Sequence, residues 1–145
     1  MPESDASKLR QLRGVEVLGR VVDSGAFMDD CSVLALPIFL RGGVPLKLIE
    51  AMARGKAIVA SPELTAGTNL RDGETVLIRS SAEEFAGAIV ALLKDADLRR
   101  RLGTNARATF VRDFSLAAAE ASLRRESVLM ASRSRPAQPA PTVRP

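Results

Sequence analysis

Residues 42–61 read GGVPLKLIEAMARGKAIVAS. Two glycines open the stretch, and Pro45 follows at a place suited to the first turn of a helix, where its missing N–H costs nothing. Leu46, Leu48, Ile49, Met52 and Ala53 recur at helical spacing and give that helix one apolar face, interrupted by a single Glu. Gly55 ends the helix. Residues 57–60, AIVA, then read as a buried strand. Glycine loop, helix and strand in this order make half of a nucleotide-binding α/β unit.

On the N-terminal side, residues 32–36 (SVLAL) predict another buried strand, ended by Pro37. Residues 23–30 predict a short helix with Asp23 or Ser24 as its cap, residues 15–18 a short strand stopped by Gly19, and residues 4–13 a helix capped by Ser4 or Asp5. On the C-terminal side, Ser61 and Pro62 break the strand. Residues 63–74 form a turn-rich connection, and residues 75–78 the last strand. From Ser81 the period becomes helical. Ser81 and Glu84 make a capping box, and Phe85, Ile89, Leu92 and Leu93 make a stripe. Asp97 is expected to cap a second helix carrying Leu98, Leu102, Ala106 and Phe110; Gly103 interrupts it and weakens it by about 1 kcal/mol relative to Ala. Ser115 opens a third helix. Strands alternate with helices, so the fold class is α/β with a largely parallel sheet. Residues 1–132 read as one folded unit, and the Pro-rich residues 133–145 as a disordered tail.

Composition narrows the function. In 145 residues, 46% are apolar, enough for a core, while aromatics are 3% with no Trp and no Tyr. Base stacking on aromatic platforms is therefore not the mode of action, which argues against single-stranded nucleic-acid binding. The absence of His removes the commonest general base and most zinc sites. Cys31 is alone and reads as a reduced core residue, which suits a cytoplasmic location; no signal peptide or spanning run is visible. The net charge of +4 is spread along the chain and is read chiefly as solvated helix faces.

The glycine loop is where chemistry is expected. A helix N-terminus offers unpaired N–H groups and a positive dipole end, and Gly42 and Gly43 let an anion approach it closely. Lys47 and Glu50, three residues apart, project from one helix face. Two readings of that pair stay open on spacing alone: an ordinary helix ion pair, or a phosphate-binding Lys beside a Glu that accepts two hydroxyls of a cis-diol.

The residues Glu50, Ala51, Met52, Ala53, Arg54, Gly55, Lys56, Ala57, Ile58, Val59 and Ala60 resemble the donor-site helix and following strand of GT-B glycosyltransferases, in the retaining group called glycosyl transferases group 1. Residues 14–21 (GVEVLGRV), 31–37 (CSVLALP), 70–78 (LRDGETVLI) and 98–114 resemble further parts of that family, so the resemblance covers roughly residues 9–120. It implies a partial Rossmann-like, doubly wound, mostly parallel sheet with C-terminal helices. It implies that Glu50 binds the ribose of a nucleoside-diphosphate sugar, that Gly42, Gly43 and Val44 present backbone N–H groups to its pyrophosphate or sugar, and that Arg20 and Val21 flank the base. Lys47 matches a subset of the family. No metal and no cofactor is implied; the nucleotide sugar is the substrate.

Two departures from the family pattern stand out. Its first donor-site Glu falls at position 42, which here is Gly42. The chain also begins near the third strand of the donor domain, without the N-terminal acceptor domain and the first two donor strands. In a sheet ordered 3-2-1-4-5-6 those two strands lie between the third and fourth, so residues 15–18 lose their neighbour and residues 32–36 gain an open edge. Either residues 15–18 shift across to pair with 32–36, or another chain fills the gap. The first expectation is therefore the donor-binding half of a hexosyltransferase acting on a glycan or lipid-linked acceptor, truncated and weakly active or inactive alone, partnered by the missing N-terminal domain or a chain supplying it. The alternative is a non-catalytic nucleotide-binding or assembly module that partners another GT-B chain. A third reading, a basic nucleic-acid or membrane-surface module using Arg99, Arg100, Arg101, Arg124 and Arg125, ranks last; nucleic acid is not an expected partner, and peripheral membrane contact is kept open.

Overall fold

The computed structural model describes residues 3–39 and 45–133. A short helix α1 (Glu3–Arg10) leads through an irregular stretch to α2 (Ser24–Asp30). Then come β1 (Val33–Leu36), α3 (Leu46–Ala53), β2 (Ala57–Ala60), one helical turn α4 (Pro62–Thr65) and β3 (Leu77–Ile78). Three longer helices follow: α5 (Ala82–Lys94), α6 (Ala96–Asp113) and α7 (Leu116–Arg133). The expected disordered tail lies outside the described residues, apart from Arg133 at the end of α7.

The three strands lie side by side in the order β1-β2-β3, all parallel, with Val33 opposite Ala57 and Val59 opposite Leu77. Parallel neighbours need crossovers, and α3 makes the first of them. β2 is the central strand and is buried at every position because its alternate side chains feed two cores. Ile58 and Ala60 pack with Leu48, Ala51 and Met52 of α3, Met28 of α2 and Ala106 of α6. Ala57 and Val59 pack the opposite way, with Phe85, Ala88 and Leu92 of α5 and Leu102 of α6. Helices thus cover both faces, which is the doubly wound α/β arrangement read from the alternation of elements.

The close approach of α6 to the end of α3 explains Gly103. A Cβ on Gly103 would overlap the carbonyl of Gly55, and Gly55 itself sits at φ +64, where it ends α3. Arg107, one turn on, donates to the carbonyl of Ala53. A residue that the helix pattern marks as weak is therefore needed for the packing of α6 on the α3–β2 junction.

Three expectations change. Residues 15–18 form no strand: their backbone is irregular, Val15 and Leu18 are exposed, and Gly14 and Gly19 on either side have positive φ. A four-residue segment becomes a strand only by pairing, and these residues pair neither with β1 nor with any other strand among the described residues. The shift across to β1 does not occur. Asp95, not Asp97, caps α6: its extended backbone lets Oδ1 accept the N–H of Leu98 at 2.8 Å, leaving Asp97 in the first turn. The connection after β2 begins with the helical turn α4 rather than a loop.

The two edges of the sheet differ. Arg79 donates its N–H to Ala60 at 2.9 Å, so the N–H of Ile78 points outward, where Asp72 Oδ1 accepts it at 2.8 Å. Asp72 also holds the Arg79 guanidinium at 2.8 Å. That edge is closed by its own chain. The outer side of β1, four uncharged residues long, meets no strand among the described residues.

Candidate functional site

Parallel strands end together, and in open α/β sheets ligands bind at the crevice outside those carboxyl ends. α3 leaves the end of β1 and α4 leaves the end of β2, so both start at this edge. Glu50 lies in the second turn of α3 and is half-buried. The Ser24 hydroxyl, at the first residue of α2, lies 3.4 Å from each of its carboxylate oxygens. Asp23 fixes that approach by capping α2, Oδ1 accepting from the N–H of Ala26 at 2.9 Å.

Two basic residues hold α2 in place beside α3. Arg54, at the C-terminal end of α3, donates to the Asp29 carboxylate. Its guanidinium lies so close over Gly25 that a Cβ there would overlap it. That hydrogen bond holds the Asp29 carboxyl below the usual carboxylate range and raises Arg54 in turn, with Asp23 and Glu50 adding to the raise. Lys56 Nζ donates to the carbonyls of Asp29 at 2.7 Å and Cys31 at 3.2 Å, satisfying the last carbonyls of α2.

The other sequence-predicted residues are placed less closely. Lys47 is exposed and makes no ion pair with Glu50 among the described residues, so the helix ion-pair reading is not realised. Arg20 and Val21 are exposed in the irregular segment that leads into α2, a few residues before Ser24. Gly42, Gly43 and Val44 lie outside the described residues. Ser24 was read only as a cap, and its contact with Glu50 spans 26 residues that no local pattern connects. Glu63, just past β2, was not singled out either; its Oε2 is buried without a hydrogen-bond partner. Among the described residues no cluster of three or more His, Cys, Asp or Glu is placed to hold a metal, and no helix is long and apolar enough to cross a membrane.

Comparison with known proteins agrees with this geometry. Residues 2–95 match the family model described as glycosyl transferases group 1. An uncharacterized glycosyltransferase of Methanocaldococcus jannaschii, MJ1069, is 40% identical over 68 residues, which are 46% of this chain and 17% of that protein. Among solved structures, sucrose-phosphate synthase from Thermosynechococcus elongatus superposes with a TM-score of 0.63 at 25% identity, over 74% of this chain and 27% of that one. Anabaena HepE in complex with UDP gives a TM-score of 0.72 at 20% identity, over 86% of this chain and 35% of that one. The C-terminal domain of the group 1 glycosyl transferase LpcC from Francisella tularensis gives 0.64 at 18% identity, over 79% and 60%. The chain thus spans about a sixth of the curated relative it matches. By its match over most of its folded residues, and with a sheet and helices shared with GT-B glycosyltransferases, this chain belongs to the glycosyl transferases group 1 family.

Proposed function

We propose that this chain binds the donor of a hexosyltransferase, a nucleoside-diphosphate sugar, at the carboxyl edge of its sheet. Glu50 accepts the two ribose hydroxyls. The observation that carries this reading is the Ser24 hydroxyl placed evenly against both Glu50 oxygens: the carboxylate is already oriented to receive a hydroxyl. Lys47 meets a phosphate as a point charge, the backbone of Gly42, Gly43 and Val44 donates to the pyrophosphate or sugar, and Arg20 and Val21 flank the base. The positive charge that stabilises the departing nucleoside diphosphate then comes from the start of α3 and the basic residues, so no metal is called for. HepE, which shares the fold, was solved with UDP.

Transfer to a glycan or lipid-linked acceptor belongs to the assembled enzyme, because domain closure and water exclusion need the acceptor side. The outer edge of β1 is where the remainder of the donor sheet joins, whether from the same polypeptide or another. A specific observation favours this: the β3 edge is capped by Asp72, whereas β1 carries no such cap among the described residues and Val15, Leu18, Val21 and Val22 stand exposed.

A thermal melt with millimolar UDP, GDP and ADP tests the reading. One nucleotide should raise the midpoint, by about 2.7 kcal/mol of added stability at a hundred times its dissociation constant, and Glu50→Ala should abolish the rise. A midpoint that none of the three moves would leave only the assembly-module alternative.

A further inference from the structure

A polar cavity lies at the opposite end of the sheet from Glu50. Residues 69–76 enter β3 at its N-terminal end, and with the second half of α6 they enclose about 320 Å³. Asn69, Arg71, Glu74, Thr75, Thr109 and Arg112 line it, and no aliphatic or aromatic side chain does.

The lining is organised in advance. Arg112 is clamped along one edge of its guanidinium by Asp113, Nε at 2.7 Å and Nη2 at 2.8 Å. Asn69 Nδ2 donates to the same carboxylate at 3.0 Å. The second terminal nitrogen of Arg112 makes no bond among the described residues. Thr75 pins the loop, its hydroxyl accepting the Arg71 N–H at 2.7 Å and donating to the Arg71 carbonyl at 3.1 Å. Thr109 is 3% exposed, and its hydroxyl has no hydrogen-bond partner among the described residues. Asn105 Nδ2 holds the Glu74 carbonyl at 2.8 Å, and the Glu74 carboxylate reaches Arg71 only at 3.6 Å.

A hydroxyl that opens into the cavity without a hydrogen-bond partner among the described residues, beside the unbonded Arg112 nitrogen and an Arg71 guanidinium held only by an exposed 3.6 Å ion pair, calls for a compact, multiply accepting oxyanion. We propose that this cavity binds a phosphate group, free or as a phosphomonoester, at a site separate from the Glu50 crevice. Arg112 and Arg71 supply charge-assisted donors from two sides, Thr109 donates from the floor, and Glu74 swings from Arg71 into solvent.

The test is a titration of the ¹⁵N-labelled chain with inorganic phosphate, and in parallel with glucose 1-phosphate, at ionic strength held constant with chloride. Phosphate should shift amides of residues 69–76 and 109–113 saturably. Arg112→Gln should weaken binding about tenfold, the loss of one charged hydrogen-bond pair, while Glu50→Ala leaves it unchanged. Equal affinity for glucose 1-phosphate assigns the site to phosphomonoesters, and binding of phosphate alone assigns it to the free ion. Absence of saturable shifts, shifts scattered over the basic surface, or full affinity in Arg112→Gln would overturn the proposal. If Arg112→Gln does not fold, Arg71→Gln, whose side chain is 76% exposed, serves in its place.

Discussion

Replacing Gly103 by Ala sets helix propensity against packing, and the structure decides the sign. In a free helix the change stabilises by about 1 kcal/mol. Here the new Cβ would overlap the Gly55 carbonyl oxygen and stand 2.9 Å from its carbon. Those atoms are backbone, at a residue already committed to φ +64 as the end of α3, so they cannot swing aside as a long side chain would. Overpacking a rigid contact costs about 1–3 kcal/mol and sits at the upper end when backbone must move. The net is a loss of about 2 kcal/mol, and with an unfolding entropy of about 0.3 kcal/mol/K for a chain this long the midpoint falls by about 7 °C. Gly87 in α5 is the matched control, because a Cβ there meets nothing within 4 Å. Gly87→Ala should raise stability by about 0.5–1 kcal/mol. Urea titrations of the three proteins, followed by far-ultraviolet circular dichroism, measure both changes. A Gly103→Ala protein as stable as Gly87→Ala would refute the close α3–α6 approach.

Other consequences can be checked. Leu102 is fully buried in the core under α5, so Leu102→Ala should cost about 2–5 kcal/mol in the same titration. Burial opposes ionisation of Asp72, but the Ile78 N–H and the Arg79 guanidinium outweigh it and lower its pKa below 3.8. Its contribution is therefore fully present above that value and lost as pH falls through the lower folded value; Asp72→Asn should flatten the stability-pH curve below about pH 4, which acid melts would show. Asp113, lowered by Arg112 and then by Asn69, should behave in the same direction. Ser24→Ala should leave the midpoint within about 0.5 kcal/mol of its starting stability, since Ser24 is exposed, and a marked fall would mean that the α2–α3 contact is structural.

How far the sequence carried the reading depended on the range of each signal. α3, β2 and the Ser81-capped α5 were legible because periodicity, caps and breakers act within a few residues. Asp97 precedes the same apolar run as Asp95, and only the extended backbone of Asp95 marks it as the cap. Residues 15–18 have a strand-like composition, but a strand is made by its neighbour, and the neighbour is not among the described residues. Gly103 looked like a defect because the residue it accommodates, Gly55, is 48 positions away. At the candidate site, Glu50 was reached through its motif, whereas Ser24 and Arg54 were not, since their contacts join α2 to α3 across a strand. Spacing allows Lys47 to meet Glu50, but it only permits a contact that an exposed lysine has little reason to hold.

Glu50 is proposed to receive the ribose diol of a donor nucleotide. Calorimetric titration of the wild type and Glu50→Gln with the preferred nucleoside diphosphate and its 2′,3′-dideoxy counterpart tests it most directly. Removing the hydroxyls should weaken wild-type binding about tenfold or more, and the same removal should cost Glu50→Gln little, the signature of a direct contact. Equal loss in both proteins would place the ribose away from Glu50.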